Sequence, residues 1–228
     1  MQKIILRLAF LFLLFPAAAG SFAQDHAFHD EIMAFKAQDS ITPPAAAPIL
    51  FTGSSSFRIW KEVQAAFPGY GIINRGFGGS IITDVTFYAE DVIFPYKPRQ
   101  IVLYCGDNDL AASDTVTAEV VFSRFKELFS LIRGRMEKVP ILYVAIKPSP
   151  SRERLMPRIV EANRLIADFL RGQSHVAFVD IYHPMLTPDG RPRPELFQED
   201  MLHMNAKGYA IWRKVIRPYL KKHRATSY

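Results

Sequence analysis

From residue 49 onward, short apolar runs alternate with longer stretches in which apolar residues return at helical spacing. Ile49-Leu50-Phe51-Thr52, Gly71-Ile72-Ile73-Asn74, Gln100 to Tyr104, Ile141 to Ile146 and Val176 to Val179 are short, apolar and rich in β-branched or aromatic residues, which predicts strands. Phe57 to Phe67 carries Ile59, Trp60, Val63 and Phe67 at helical intervals. Val116 to Met136 carries a stripe of Val120, Val121, Phe125, Leu128, Phe129 and Ile132, which predicts a long amphipathic helix. Glu153 to Leu170 predicts another, with Pro157 in its first turn, and Ala206 to Lys222 a last one. Residues 183 to 199, rich in Pro and polar residues, predict a loop. Upstream, residues 26 to 38 predict a short helix and Pro43 to Pro48 an extended connector.

Five short strands alternating with helices predict an α/β domain whose parallel sheet is covered on both faces. No internal repeat or second domain interrupts the pattern. Ligands of such sheets bind beyond the carboxyl ends of the strands. The chemistry-bearing residues fall there: Gly53-Ser54-Ser55 after the first strand, Gly76 to Gly79 of the glycine-rich turn Asn74 to Ser80 after the second, Gly106-Asp107-Asn108-Asp109 after the third, and Asp200-x-x-His203 after the fifth.

The first residues differ in character. Lys3 and Arg7 precede an apolar run from Leu8 to Phe15, then Pro16 and small residues up to Ser21-Phe22-Ala23. This predicts a signal peptide over residues 1–23, cleaved after Ala23. The run is short for a bilayer span, so no stable membrane insertion is expected after cleavage, and a periplasmic or secreted location follows. Removing Lys3 and Arg7 lowers the formal charge from +6 to about +4, too little to suggest a nucleic-acid partner. The basic tail Lys221-Lys222-His223-Arg224 reads as a solvated helix end. Cys105 is the only cysteine, so no internal disulfide forms, and its place behind Ile101 to Tyr104 predicts a buried thiol rather than a nucleophile.

Each block alone has two readings. A serine after a strand-end glycine is equally a nucleophile near free N–H groups and an ordinary helix N-cap. There is no G-x-S-x-G elbow. The glycine-rich turn permits positive φ and an inward N–H, but lacks the Lys-Ser/Thr ending of a P-loop and the spacing of a dinucleotide fingerprint. The amide after Gly106 can donate to an oxyanion or serve an Asx turn. Asp200-x-x-His203 can orient an imidazole with Nε2 free, or cap a helix.

Taken together and in this order, the four blocks resemble those of the SGNH hydrolases, the GDSL-type esterases and lipases. The resemblance spans roughly residues 49 to 220. It implies a flavodoxin-like three-layer α/β/α sandwich with a five-stranded parallel sheet. It implies that residues 49–228 form the catalytic domain, with residues 24–48 a helix and connector before it. By register it makes Ser55 the nucleophile, with Ser54 and Ser56 in reserve, and the Ser55 and Gly79 N–H groups with the Asn108 side chain the oxyanion hole. Asp200 and His203 become orienter and base. Ser54 stands where the family name has Asp, a position without a catalytic role.

The expected activity is that of a secreted serine esterase working through an acyl-serine, with no metal or cofactor. Arg152, in the loop after the fourth strand, is a candidate for binding an anionic or hydroxyl-rich leaving group. Neither that loop nor residues 184 to 194 offers an extended apolar surface, which points to short acyl groups such as acetyl esters of carbohydrates. An acyltransferase sharing the acyl-serine, and a carbohydrate-binding protein without catalysis, are the alternatives. His26, His29, Asp30 and Glu31 sit in a segment expected to be mobile and so unsuited to a closed metal site. His175 and His183 flank the fifth strand without partners of their own and read as surface histidines, and Trp60 and Trp212 read as core rather than sugar platforms. The oligomeric state is not legible.

Overall fold

A computed structural model describes residues 26–222. The expected signal peptide, and His223 and Arg224 of the basic tail, lie outside them. Five strands form one parallel sheet in the order β2-β1-β3-β4-β5: β1 (Ile49–Gly53), β2 (Ile72–Gly76), β3 (Gln100–Tyr104), β4 (Ile141–Val144) and β5 (Val176–Val179). β1 and β3 are fully buried along their length, as expected for strands covered on both faces.

The helices are α1 (His29–Ile41), α2 (Ser55–Arg58), α3 (Val63–Ala66), α4 (Ile82–Phe87), α5 (Ala89–Val92), α6 (Asp107–Ala112), α7 (Ala118–Arg135), α8 (Met156–Arg171) and α9 (Ala206–Ile216). α7 packs on α4 and α8, and Phe125 of α7 meets Tyr143 of β4 edge-on. On the other side, Trp212 of α9 meets Tyr104 of β3 and Phe57 of α2. This is the expected three-layer sandwich. Trp60 and Trp212 are both core residues.

Four local differences from the sequence reading have physical causes. The single helix expected over Phe57 to Phe67 is two one-turn helices. Asn74 of β2 donates to the Phe57 carbonyl at 2.7 Å, satisfying a group that a continuing helix would have bonded itself. The interrupted path buries Phe57, Trp60, Val63 and Phe67 together over Phe51. β2 runs on to Gly76, so Arg75 belongs to the strand rather than the turn. Residues 82–92, where periodicity is too short to read, form α4 and α5. The last helix stops at Ile216, ahead of a 3₁₀ turn holding Pro218, which cannot continue the ladder.

α1, in the segment expected to be mobile, is docked on the domain by polar contacts. Its Asp39 accepts from Arg75 and Tyr96, and its Lys36 pairs with Asp91. Among the described residues, no helix is long and apolar enough to cross a membrane.

Candidate active site

The serine block begins where β1 ends. Gly53 has φ +126°, and a Cβ there would lie 1.9 Å from the Tyr104 carbonyl oxygen, so glycine alone fits. Ser54 N–H donates to that carbonyl at 3.0 Å, and the chain then enters α2 at Ser55. Ser54 and Ser56 are buried, whereas Ser55 is half-exposed with its Oγ 3.1 Å from His203 Nε2. Of the three serines, the middle one meets the imidazole. α2 is a single turn, so its macrodipole is slight, and its local N–H groups matter more.

Asp200 builds its pairing with His203 within four residues. Its Oδ1 accepts the N–H groups of Leu202 and His203, each at 2.9 Å, and its Oδ2 lies 2.6 Å from His203 Nδ1. A carboxylate there can only accept, so Nδ1 carries the proton and Nε2 offers a lone pair to Ser55. Partial burial pushes the Asp200 carboxyl up. The His203 N–H and ring and the Leu202 N–H outweigh it, and hold the group at about 2.

The chain contains a second such pair that the sequence reading passed over. Asp180 Oδ1 accepts the N–H groups of Tyr182 and His183 at 2.9 and 3.2 Å, and its Oδ2 lies 2.6 Å from His183 Nδ1. His183 therefore does have a partner of its own. Its side chain is 77% exposed, and no serine faces it among the described residues.

The glycine block and the Gly106 block meet across the site. Neither the Ser55 nor the Gly79 N–H donates to another group among the described residues. Gly79 stands beside Asn108, its Cβ position 3.7 Å from Asn108 Nδ2. Asn108 Nδ2 donates to the Ser80 carbonyl at 3.1 Å, which leaves its second hydrogen for an incoming oxygen. Uncommitted donors of this kind, two of them side by side at Gly79 and Asn108, are what a developing oxyanion requires.

The Asp-Asn-Asp run sends its three side chains to three destinations. Asp109, fully buried, accepts the Ile82 N–H at 3.0 Å and pairs with Arg124, fixing the exit of the glycine block into α4. Asp107, also buried, pairs with Lys147 at 2.9 Å and Arg152 at 3.0 Å. Burial raises its carboxyl, and the two cations outweigh burial to hold it at about 2. Arg152 is brought to the site as its sequence position suggested. Its guanidinium is engaged by Asp107 and by Asn108 Oδ1, at 2.7 Å from the latter.

The remaining candidates make other contacts. Cys105 is fully buried, burial pushes its thiol well up, and its Sγ donates to the Ser80 carbonyl at 3.4 Å. Glu31 accepts the Gly78 N–H at 3.1 Å, and His26 stacks on Phe87. Among the described residues, no three His, Cys, Asp or Glu side chains are grouped to hold a metal ion.

Solved structures with this architecture include a Streptococcus pneumonia protein provisionally described as a platelet activating factor (TM-score 0.73, 18% identity, covering 84% of this chain and 92% of that one). A GDSL-like lipase from Bacteroides thetaiotaomicron aligns with TM-score 0.68 at 19% identity, over 83% of this chain and 96% of its own. A variant of an acetyl xylan esterase from Geobacillus stearothermophilus aligns with TM-score 0.59 at 14% identity, over 81% and 99%. At these identities the likeness is one of fold. No curated protein matches in sequence. The model of the GDSL-like Lipase/Acylhydrolase family matches residues 39–211, a span that holds all four blocks. The chain belongs to the GDSL-like lipase/acylhydrolase family and is a carboxylic ester hydrolase.

Proposed function

We propose that the protein is a serine esterase, exported from the cytoplasm, that cleaves short-chain carboxylic esters, acetyl esters of carbohydrates foremost, through an acyl-serine. The observation that carries this reading is the unbroken contact chain from Ser55 Oγ to His203 (3.1 Å) and on to Asp200 (2.6 Å). His203 Nε2 takes the hydroxyl proton as Ser55 Oγ attacks the ester carbonyl carbon. The carbonyl π pair moves onto oxygen, where the Ser55 and Gly79 N–H groups and Asn108 Nδ2 donate to it. One such donor is typically worth about 3 kcal/mol of barrier. Collapse expels the alcohol, which takes its proton from His203 and leaves the acyl group on Ser55. Water then attacks the acyl carbon, with the same imidazole as base, and releases the acid.

The preference for a short acyl group rests on the polar character of the blocks at this sheet edge: the Gly79 backbone, the Asn108 amide beside it and the Arg152 guanidinium bonded to that amide, with the polar 147–152 loop beyond. The Geobacillus acetyl xylan esterase offers a precedent on this fold. A binding-only role leaves the Ser–His–Asp contacts without purpose.

The test uses p-nitrophenyl acetate, butyrate and octanoate with the mature protein and Ser55→Ala. Turnover falling from acetate to octanoate, loss of activity in the variant, and phosphonate labelling of Ser55 are expected. Activity retained by Ser55→Ala refutes the assignment of the nucleophile, and octanoate as the best ester refutes the short-acyl reading. N-terminal sequencing of protein exported by the producing cells is expected to begin at Gln24, and an intact Met1 argues against export by cleavage.

A further inference from the structure

Behind Asn108 stands a chain of charges that the hydrolytic steps do not use. Lys147 is 1% exposed, and its Nζ lies 2.9 Å from Asp107 Oδ2 and 3.3 Å from the Tyr104 hydroxyl. The same carboxylate oxygen is 3.0 Å from Arg152 Nη1, an ion pair without hydrogen-bond alignment. The other arm of the guanidinium, Nη2, donates to Asn108 Oδ1 at 2.7 Å. Two cations thus share one carboxylate, and the group carries a net positive charge beside the proposed oxyanion position.

These contacts leave Asn108 one orientation. Arginine has donors only, so the amide atom facing it must be the oxygen. The Ser80 carbonyl accepts only, so the atom facing it must be Nδ2. A flipped amide would set NH₂ against guanidinium and oxygen against oxygen. Without Arg152, the Ser80 carbonyl alone would resist that flip. A cation on Oδ1 also draws electron density through the amide and strengthens Nδ2–H as a donor.

The loop carrying Arg152 is tied to the base as well. Ser151 N–H donates at 3.0 Å to the carbonyl of Met201, inside the Asp200-x-x-His203 turn. A side chain rooted there holds one distance between base and oxyanion donor.

We propose that Arg152 is a positioning residue of the oxyanion hole: clamped by the buried Asp107–Lys147 pair, it aims and polarises the Asn108 amide and does not bind substrate. The inference rests on the serine-esterase reading. It adds a function to a residue whose place in the sequence suggested a leaving-group contact.

A double-mutant cycle on p-nitrophenyl acetate tests it, with Arg152→Gln, Arg152→Lys, Asn108→Ala and the Asn108→Ala/Arg152→Gln pair. Asn108→Ala is expected to lower kcat by about 10²-fold or more, the scale of one lost oxyanion donor. Arg152→Gln should lower kcat by about tenfold or more with KM nearly unchanged, since the loss is confined to the transition state. In the Asn108→Ala background the same substitution should cost less than about twofold, because residues acting through one another are not additive. Arg152→Lys, which keeps the charge but not the fork, should fall between wild type and Gln. Should Arg152→Gln fail to fold, the Lys variant completes the cycle.

A raised KM with kcat preserved makes Arg152 a substrate contact and overturns the proposal. So does a full tenfold loss that persists without the Asn108 amide. Failure of the esterase reading looks different, because Ser55→Ala would then keep the activity and phosphonate would leave Ser55 unlabelled.

Discussion

The two Asp-x-x-His turns separate what a motif builds from what it does. Asp180–His183 and Asp200–His203 make the same carboxylate contacts, to two N–H groups and to Nδ1 at 2.6 Å. The dyad is therefore a local product of the spacing, and only its placement opposite Ser55 makes one of the two a catalytic candidate. Asp200→Asn is expected to lower kcat by about 10³- to 10⁴-fold, because an amide in place of the carboxylate favours the wrong imidazole tautomer. Asp180→Asn should leave kcat unchanged. Steady-state kinetics of both variants, with circular dichroism to verify folding, decides the matter; equal losses would mean that the wrong pair has been chosen.

The pH dependence has a definite sign. The folded Asp200 carboxyl, at about 2, lies below its ordinary 3.8, so the unfolded chain takes up the proton first as pH falls. Its stabilisation is full above about pH 4 and is lost as pH drops through about 2. It is small, because the side chain is 46% exposed. For activity, the carboxylate stays ionised through the range in which esterases are assayed. A fall in kcat/KM on the acid side above about pH 4 must then come from another group. Asp180→Asn should show the wild-type profile.

At the scale of elements, the alternation of strands and helices was legible because each buried strand is a dense apolar run bounded by Gly, Pro or polar residues. The four blocks were legible because each follows a strand end. What was hidden is mostly polar. Asp107, Asn108 and Asp109 look alike in sequence, yet their partners, Lys147 with Arg152, Ser80 and Ile82 with Arg124, come from separate segments that no periodicity links. The docking of α1 was hidden for the same reason. Ile32 is its only buried residue, so it has no apolar stripe to read. It is held instead by Glu31 on the Gly78 N–H, Asp39 on Arg75 and Tyr96, and the Phe28 ring seated against Gly78. At Gly78, φ is +37° and a Cβ would lie 2.0 Å from that ring, so with the ring seated there the position takes only glycine. Since Gly78 precedes Gly79, α1 braces the loop that carries the N–H proposed for the oxyanion hole. The Phe28→Ala/Glu31→Ala pair should speed hydrogen exchange at Gly78 and across α1. It should also lower kcat severalfold, short of the ~10²-fold of a lost donor. Unchanged kcat despite faster exchange would show that the loop holds its shape unaided.

At the scale of the whole molecule, the sheet order poses a problem that the C-terminal segment solves. Ser55 leaves β1, while Asp200 and His203 follow β5, and β3 and β4 stand between them. At about 4.8 Å per strand the histidine must be carried back roughly 14 Å across the sheet edge. Residues 183–205 make that return, pinned by the bridges Leu186 to Pro192 and Phe197 to Met204. α9 then locks the landing. Its Tyr209 stacks on Trp60 at 4.8 Å and donates to the Ser56 carbonyl at 2.8 Å, and its fully buried Trp212 meets Phe57 and Tyr104. The helix that follows His203 thus grips the helix that begins at Ser55. Trp212→Ala should cost about 3–5 kcal/mol of stability by opening a cavity between them, read from the urea midpoint. Because that cavity lies between α9 and α2, kcat per folded molecule should fall at temperatures where circular dichroism still shows a native chain. A core truncation remote from this seam, Ile159→Ala in α8, should lower stability by about 2–5 kcal/mol while leaving kcat per folded molecule intact. If the two variants lose activity only in proportion to the fraction unfolded, α9 stabilises the fold without setting the Ser55–His203 distance, and the return loop alone must do so.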